Sequence, residues 1–247
     1  MKKTKIAAVD YLNTKPLLYG IKKSAVAMKI TLLEAYPSEV AQLLIDGKVD
    51  VGLVPVAVIP QLKESHIISD YCIASDGPVA SVCIFSDVPM EQVERIYLDY
   101  QSRTSVMLAR ILLRDYWQCN VPLLPTKEDG YRKAIEGTTA GLVIGDRALE
   151  QRLHSRYVYD LGEAWKAHTG LPFVFAAWVS NNVLSPEFLT AFNAANGLGF
   201  EELPQVIKEN PYKLFSLHDY YTKYISYRLD EEKRRGLQLF LEKLSTL

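Results

Sequence analysis

Short apolar runs alternate with helix-like segments along the first half of the chain, and this alternation constrains the fold more than any other feature. Lys5 to Val9 reads as a buried strand, followed by a polar turn, Asp10-Tyr11-Leu12-Asn13-Thr14, and a helix with Pro16 in its first turn. Lys29 to Glu34 reads as a second strand. Pro37-Ser38-Glu39 opens a second helix with Val40, Leu43 and Leu44 on one face, and Gly47 stands where a helix-capping glycine belongs. Asp50 to Pro55 is a third strand. Strand and helix in turn predict a parallel α/β sheet.

The pattern then recurs. Arg95 to Leu98 and Val121 to Leu124 read as strands, Ser102 to about Tyr116 as a helix, and Asp129 to Glu136 as a short one. Ile45-Asp46-Gly47 before Gly52-Leu53-Val54 is echoed by Ile135-Glu136-Gly137 before Gly141-Leu142-Val143. Two similar lobes are therefore expected. Val79 to Phe85 and Phe173 to Val179 read as β-strands crossing between them, and Ser185 to Leu247 reads as helical. The boundaries place lobe one at 1–83 plus 178–247 and lobe two at 84–177.

At 247 residues the chain can bury a core without disulfide or metal staples. Its net charge of −1 argues against general nucleic-acid binding. No apolar stretch approaches a membrane span, and the one after Met1-Lys2-Lys3-Thr4-Lys5 is too short for a signal peptide, so a cytosolic, unprocessed protein is expected. Cys72, Cys83 and Cys119 are too scattered for a disulfide framework or a CxxC site and fit a reducing compartment. His66, His154, His168 and His218 show no metal-ligand spacing, and no dinucleotide, P-loop or GxSxG motif occurs. No metal and no cofactor are expected.

In open α/β sheets ligands bind beyond the carboxyl ends of strands, at helix N-termini. That rule selects Asp10 to Thr14, Gly52 to Val56, Asp99 to Ser105, Gly145-Asp146 and the crossing strand at Ser81. Ser102-Arg103-Thr104-Ser105 opens a helix with two hydroxyl types and a guanidinium, suited to an anion or to plain capping. Asn13-Thr14-Lys15-Pro16 offers a second such turn. Two helix N-termini on one cleft would suit a small dianion. Tyr220, Tyr221, Tyr224 and Tyr227 sit at helical spacing, where a packing role is expected.

Val9-Asp10-Tyr11-Leu12-Asn13-Thr14-Lys15-Pro16-Leu17 resembles the Ser-Tyr-Leu-Asn-(Ser/Thr)-x-Pro-Leu opening of the chorismate dehydratases of the futalosine pathway of menaquinone biosynthesis, with Asp10 in place of serine. The resemblance continues through Asp50-Val51-Gly52-Leu53-Val54-Pro55, Ser81-Val82, Asp99 to Ser105, Ile144-Gly145-Asp146, Asp160 to Trp165 and Thr169 to Ala176. It spans about residues 5 to 180; beyond that only helical character is shared.

The resemblance implies a two-lobed, type-2 periplasmic-binding-protein-like α/β fold, with mixed sheets, helices on both faces and two crossing strands as hinge. It implies a hydro-lyase that converts chorismate, a small dianion, to 3-(1-carboxyvinyloxy)benzoate without a cofactor. Asn13 and Ser81 are then the catalytic candidates. Tyr11, Thr14, Val54, Pro55, Ser102, Arg103, Thr104, Ser105, Gly145 and Asp146 are the substrate-binding ones. No nucleic-acid or membrane partner is expected, and both monomer and homodimer stay open. The rival readings are a 1,4-dihydroxy-6-naphthoate synthase of the same pathway, expected to use a cleft histidine, and a non-catalytic small-anion binding protein.

Overall fold

The computed structural model describes residues 3–247. β1 (Thr4–Val9), α1 (Lys15–Lys23), β2 (Ile30–Ala35), α2 (Pro37–Ile45) and β3 (Val51–Pro55) come first. β1 pairs in parallel with both β2 and β3. This is the arrangement that strand–helix–strand alternation dictates, because parallel neighbours need a crossover helix. Gly47, at φ +65°, closes α2 in the left-handed region.

β4 (His66–Ser75) leads to the second sheet, formed by β5 (Val82–Ser86), β6 (Arg95–Leu98), β7 (Leu123–Pro125), β8 (Thr139–Ile144) and β9 (Tyr157–Asp160). α3 (Thr104–Asp115), α4 (Asp146–Gln151) and α5 (Leu161–Thr169) accompany it. The chain returns through β10 (Phe173–Ser180) to α6 (Pro186–Glu201), α7 (Leu203–Glu209), the single turn α8 (Leu217–Asp219), β11 (Ser226–Arg228) and α9 (Glu231–Leu244). The first sheet runs β11-β4-β10-β3-β1-β2 and the second β7-β6-β8-β5-β9. Both sheets mix parallel and antiparallel neighbours: β10 runs antiparallel to β3 and β4, and β5 antiparallel to β8 and β9.

Both expected crossing strands form, but neither crosses. β5 lies wholly in the second sheet and β10 wholly in the first. The passages between sheets are the irregular segments 76–81 and 170–172. Phe173 to Ala177, assigned from sequence to the second lobe, therefore pair within the first sheet. An eight-residue strand buried throughout cannot straddle two separate sheets without leaving ladder groups unpaired.

The carboxy-terminal stretch is not all helical. β11 adds an edge strand against β4, and it carries Tyr227 away from the helical row of tyrosines. Neither β4 nor β9 stands out in the sequence reading, since their polar and aromatic residues give no clean period.

Helices α1 and α6 pack at backbone distance. A Cβ on Gly20 would lie 1.8 Å from the Ala195 carbonyl oxygen, and one on Gly199 would lie 1.8 Å from that of Pro16. This close approach fixes α1, and with it the turn that precedes α1. Among the described residues no helix is long and apolar enough to cross a membrane.

Candidate active site

A cavity of about 540 Å³, including its open mouth, separates the two sheets. The first sheet's side contributes Val9, Tyr11, Asn13, Thr14, Pro55 and Phe175, and the second contributes Val82, Ser102, Thr104, Ser105, Ile144 and Gly145. The turn before α1 and the first turn of α3 therefore open on one space, as the strand-end rule requires. First-turn N–H groups have no partner within their helix and carry partial positive charge, so both turns favour anions.

The polar side chains on this wall are tied down. The Ser102 hydroxyl accepts the Ser105 N–H at 3.0 Å, in the first turn of α3. Thr104 Oγ1 accepts the Ala57 N–H at 3.1 Å, which links α3 to the residues after β3. The fully buried Thr14 hydroxyl donates to Asn13 Oδ1 at 3.1 Å. That bond orients the Asn13 amide. Asn13 does not cap α1, whose N-cap is Thr14 without a side-chain bond.

Four candidates stand off the wall. Arg103 points outward and donates to Gln42 Oε1 at 3.1 Å, so its guanidinium is not one of the cavity's donors. Val54 is fully buried in β3 beside Pro55, which does line the cavity. Ser81 is fully buried and does not line the cavity, although Val79 and Val82 on either side of it do, and its Oγ accepts the Tyr220 hydroxyl at 2.7 Å. Asp146 faces the other unit, where its carboxylate accepts the Leu12 N–H at 3.1 and 3.3 Å. Burial, opposed by that N–H, pushes the Asp146 carboxyl up to about 6. Asp10, the departure from the family opening, pairs at the surface with Lys15 at 2.5 Å.

A buried network behind the wall holds the second unit's loops. Asp99, at the end of β6, accepts the N–H groups of Gln101 at 2.9 Å and Ile144 at 3.0 Å, and the Tyr131 hydroxyl at 2.9 Å. Arg147 binds Asp99 at 2.8 Å, Asp129 at 2.6 Å and Gln101 Oε1 at 2.8 Å. The Tyr11 hydroxyl reaches the same Gln101 oxygen from the other unit. Burial, with the nearby Asp99 charge, pushes the Tyr11 phenol well above its ordinary value, so it stays a neutral donor. Sequence reasoning marked Asp99 to Ser105 as a ligand segment but gave Arg147 and Tyr131 no part. The one available signal was an arginine directly after Gly145-Asp146 at a strand end.

A profile of the menaquinone-biosynthesis family matches residues 4–246. This chain belongs to that family. The match extends past residue 180, where the resemblance read from the sequence ends. The family's similar proteins include a chorismate dehydratase of Thermus thermophilus, 28% identical over 95% of this chain and 92% of that protein. Another chorismate dehydratase, of Campylobacter jejuni, is 23% identical over 97% of this chain and 96% of its own length.

Solved structures with the same architecture include a protein of Archaeoglobus fulgidus (TM-score 0.80, 13% identity, 99% of this chain and 97% of that one). The periplasmic aliphatic sulphonate binding protein of Escherichia coli also matches (TM-score 0.62, 11% identity, 100% and 87%). At such identities they establish the fold alone, and it is the periplasmic-binding-protein-like fold that the sequence resemblance implied.

Proposed function

We propose that this chain is a hydro-lyase that dehydrates chorismate to 3-(1-carboxyvinyloxy)benzoate within menaquinone biosynthesis, in the futalosine branch. The observation that carries the reading is the full-length similarity to chorismate dehydratases. The cavity agrees with it. Its wall is mostly apolar, suited to a ring, and two helix-opening turns face it from opposite sides, suited to two carboxylates.

The reaction removes a proton from the carbon bearing the enolpyruvyl ether and hydroxide from its neighbour. A ring double bond forms, the ring becomes aromatic, and water leaves. Among the described residues the wall holds no carboxylate and no imidazole. In this reading a substrate carboxylate takes the proton, as the family resemblance implies, and the protein contributes orientation and water exclusion. Asn13 orients the substrate from the cavity wall. Ser81 lies in the chain between two lining residues, Val79 and Val82; in this reading substrate entry uncovers its hydroxyl, which donates to the departing hydroxyl or to a carboxylate.

The wall's composition also weighs against the naphthoate synthase reading, which expects a cleft histidine; His168, the nearest candidate by sequence, packs edge-on against Tyr116 instead. Three free thiols fit a cytosolic enzyme. Purified protein incubated with chorismate tests the activity. Appearance of the aromatic product by mass and ultraviolet absorbance supports it, and unchanged chorismate at high enzyme concentration refutes it.

A further inference from the structure

Ser81 is held by an unusual backbone. Ala80 has φ +63°, a conformation that side chains other than glycine rarely adopt, and the Ser81 N–H donates to the Val79 carbonyl at 2.8 Å around it. This is a three-residue γ-turn of the strained, left-handed kind. Such strain persists only where the surroundings over-determine it, and it concentrates at functional sites. Here the Asp160 carboxylate supplies the restraint. It accepts the Val79 N–H at 3.1 Å and the Ala80 N–H at 2.8 Å while capping α5 through Gly162 and Glu163.

The turn fixes the serine backbone, and Tyr220 fixes its hydroxyl. Tyr220 is fully buried, opens the turn after α8, and packs edge-on against Phe215. Its O–H donates to Ser81 Oγ at 2.7 Å. A serine hydroxyl has one proton to give. Among the described residues the one acceptor for that proton is the Val79 carbonyl at 3.5 Å, beyond ordinary O–H···O range. The Asn13 amide also bears on the Tyr220 hydroxyl; burial raises that phenol well above its ordinary value, against the opposing pull of Ser81 and Asn13. A second tyrosine of the same segment, Tyr227, donates to the Asn13 carbonyl at 2.8 Å.

We propose that Tyr220 is a positioning residue for the dehydration: by donating to Ser81 it leaves the serine proton free to be given to a substrate oxygen entering beside Val79 and Val82. The inference rests on the chorismate reading above. It gives the carboxy-terminal segment, which shares no motif with the family opening, a part in the chemistry.

The test is a double-mutant cycle on the full chain with chorismate as substrate: wild type, Tyr220→Phe, Ser81→Ala and the pair. Tyr220→Phe is expected to lower kcat by roughly tenfold or more with KM within about twofold, and to cost nothing further once Ser81 is alanine. Wild-type kcat in Tyr220→Phe, or the same factor lost in both backgrounds, overturns the assignment. So does loss of the native circular-dichroism spectrum in Tyr220→Phe, which would make the phenol a folding group. An inactive wild type refutes the reaction and this inference together; an active wild type with an indifferent Tyr220 refutes only the inference.

Discussion

The carboxylate of Asp146, at the start of α4, accepts the Leu12 N–H of the opposite unit at 3.1 Å. The bond joins the two sides of the cavity beside the Asn13 turn. It does so at a cost, because burial pushes the acid up to about 6 from an ordinary 3.8. A raised acid binds its proton more tightly in the folded state. Stability from this group is complete below about pH 4 and lost as pH rises through about 6, by on the order of 3 kcal/mol. Asp146→Asn keeps an oxygen for the Leu12 N–H and has no charge to bury. Thermal melts across this pH range are expected to show a flatter profile for Asp146→Asn and a higher melting temperature near pH 8. Parallel profiles for the two proteins would count against the account.

Closure is expected to depend on Tyr11. Its hydroxyl meets Gln101 across the cleft, and the Ser38 N–H donates to the Gln101 carbonyl at 3.2 Å. Tyr11→Phe removes one buried bond of about 1 kcal/mol, enough to shift an open–closed equilibrium about fivefold. Small-angle scattering of the ligand-free variant is expected to report a larger radius of gyration than wild type, converging when a product analogue saturates both. Identical ligand-free profiles would refute the clasp.

Ser81→Ala and Asn13→Ala are expected to lower chorismate turnover by roughly 10²–10³, the scale of a lost transition-state donor. They differ in stability for reasons visible only in the fold. Ser81→Ala removes the buried acceptor of the Tyr220 hydroxyl and is expected to cost roughly 1–3 kcal/mol. Adding Tyr220→Phe is expected to return part of that loss. Asn13→Ala removes the acceptor of the Thr14 hydroxyl, for about 1 kcal/mol. Melts and kinetics on the same samples separate the two effects, and near wild-type turnover in either single variant removes that residue from the mechanism.

Gly199→Ala tests whether helix packing sets the site. The new Cβ would meet the Pro16 carbonyl oxygen at 1.8 Å, so α1 and α6 must part. A loss of roughly 2–4 kcal/mol is expected by analogy with overpacked cores, together with weaker chorismate binding as the Asn13 turn moves. A variant as stable as wild type would show that α1 is held elsewhere.

Much of this protein is written locally. Apolar runs such as Ile6 to Val9 and Val51 to Pro55 are buried on both faces, so they identify central strands without tertiary information. Pro16, Pro37 and Pro186 each fall in a first helical turn, and Gly47 ends α2, because these positions depend only on backbone chemistry. The strand-end rule likewise brings Asn13, Thr14, Ser102, Thr104, Ser105 and Gly145 to one cavity.

What the sequence could not settle is where side chains point and which distant segments meet. Arg103 and Ser102 are neighbours, yet one turns to Gln42 and the other to the cavity, a choice set by the packing of α3. Tyr220 reads as packing because nothing local links it to Ser81, far back in the chain. β11 adopts its strand only because β4 offers an unpaired edge. Hydrogen bonds of such sequence separation follow from the folded topology, since only the closed chain brings donor and acceptor within reach. Local propensity determined the elements of this protein, and long-range pairing decided the site.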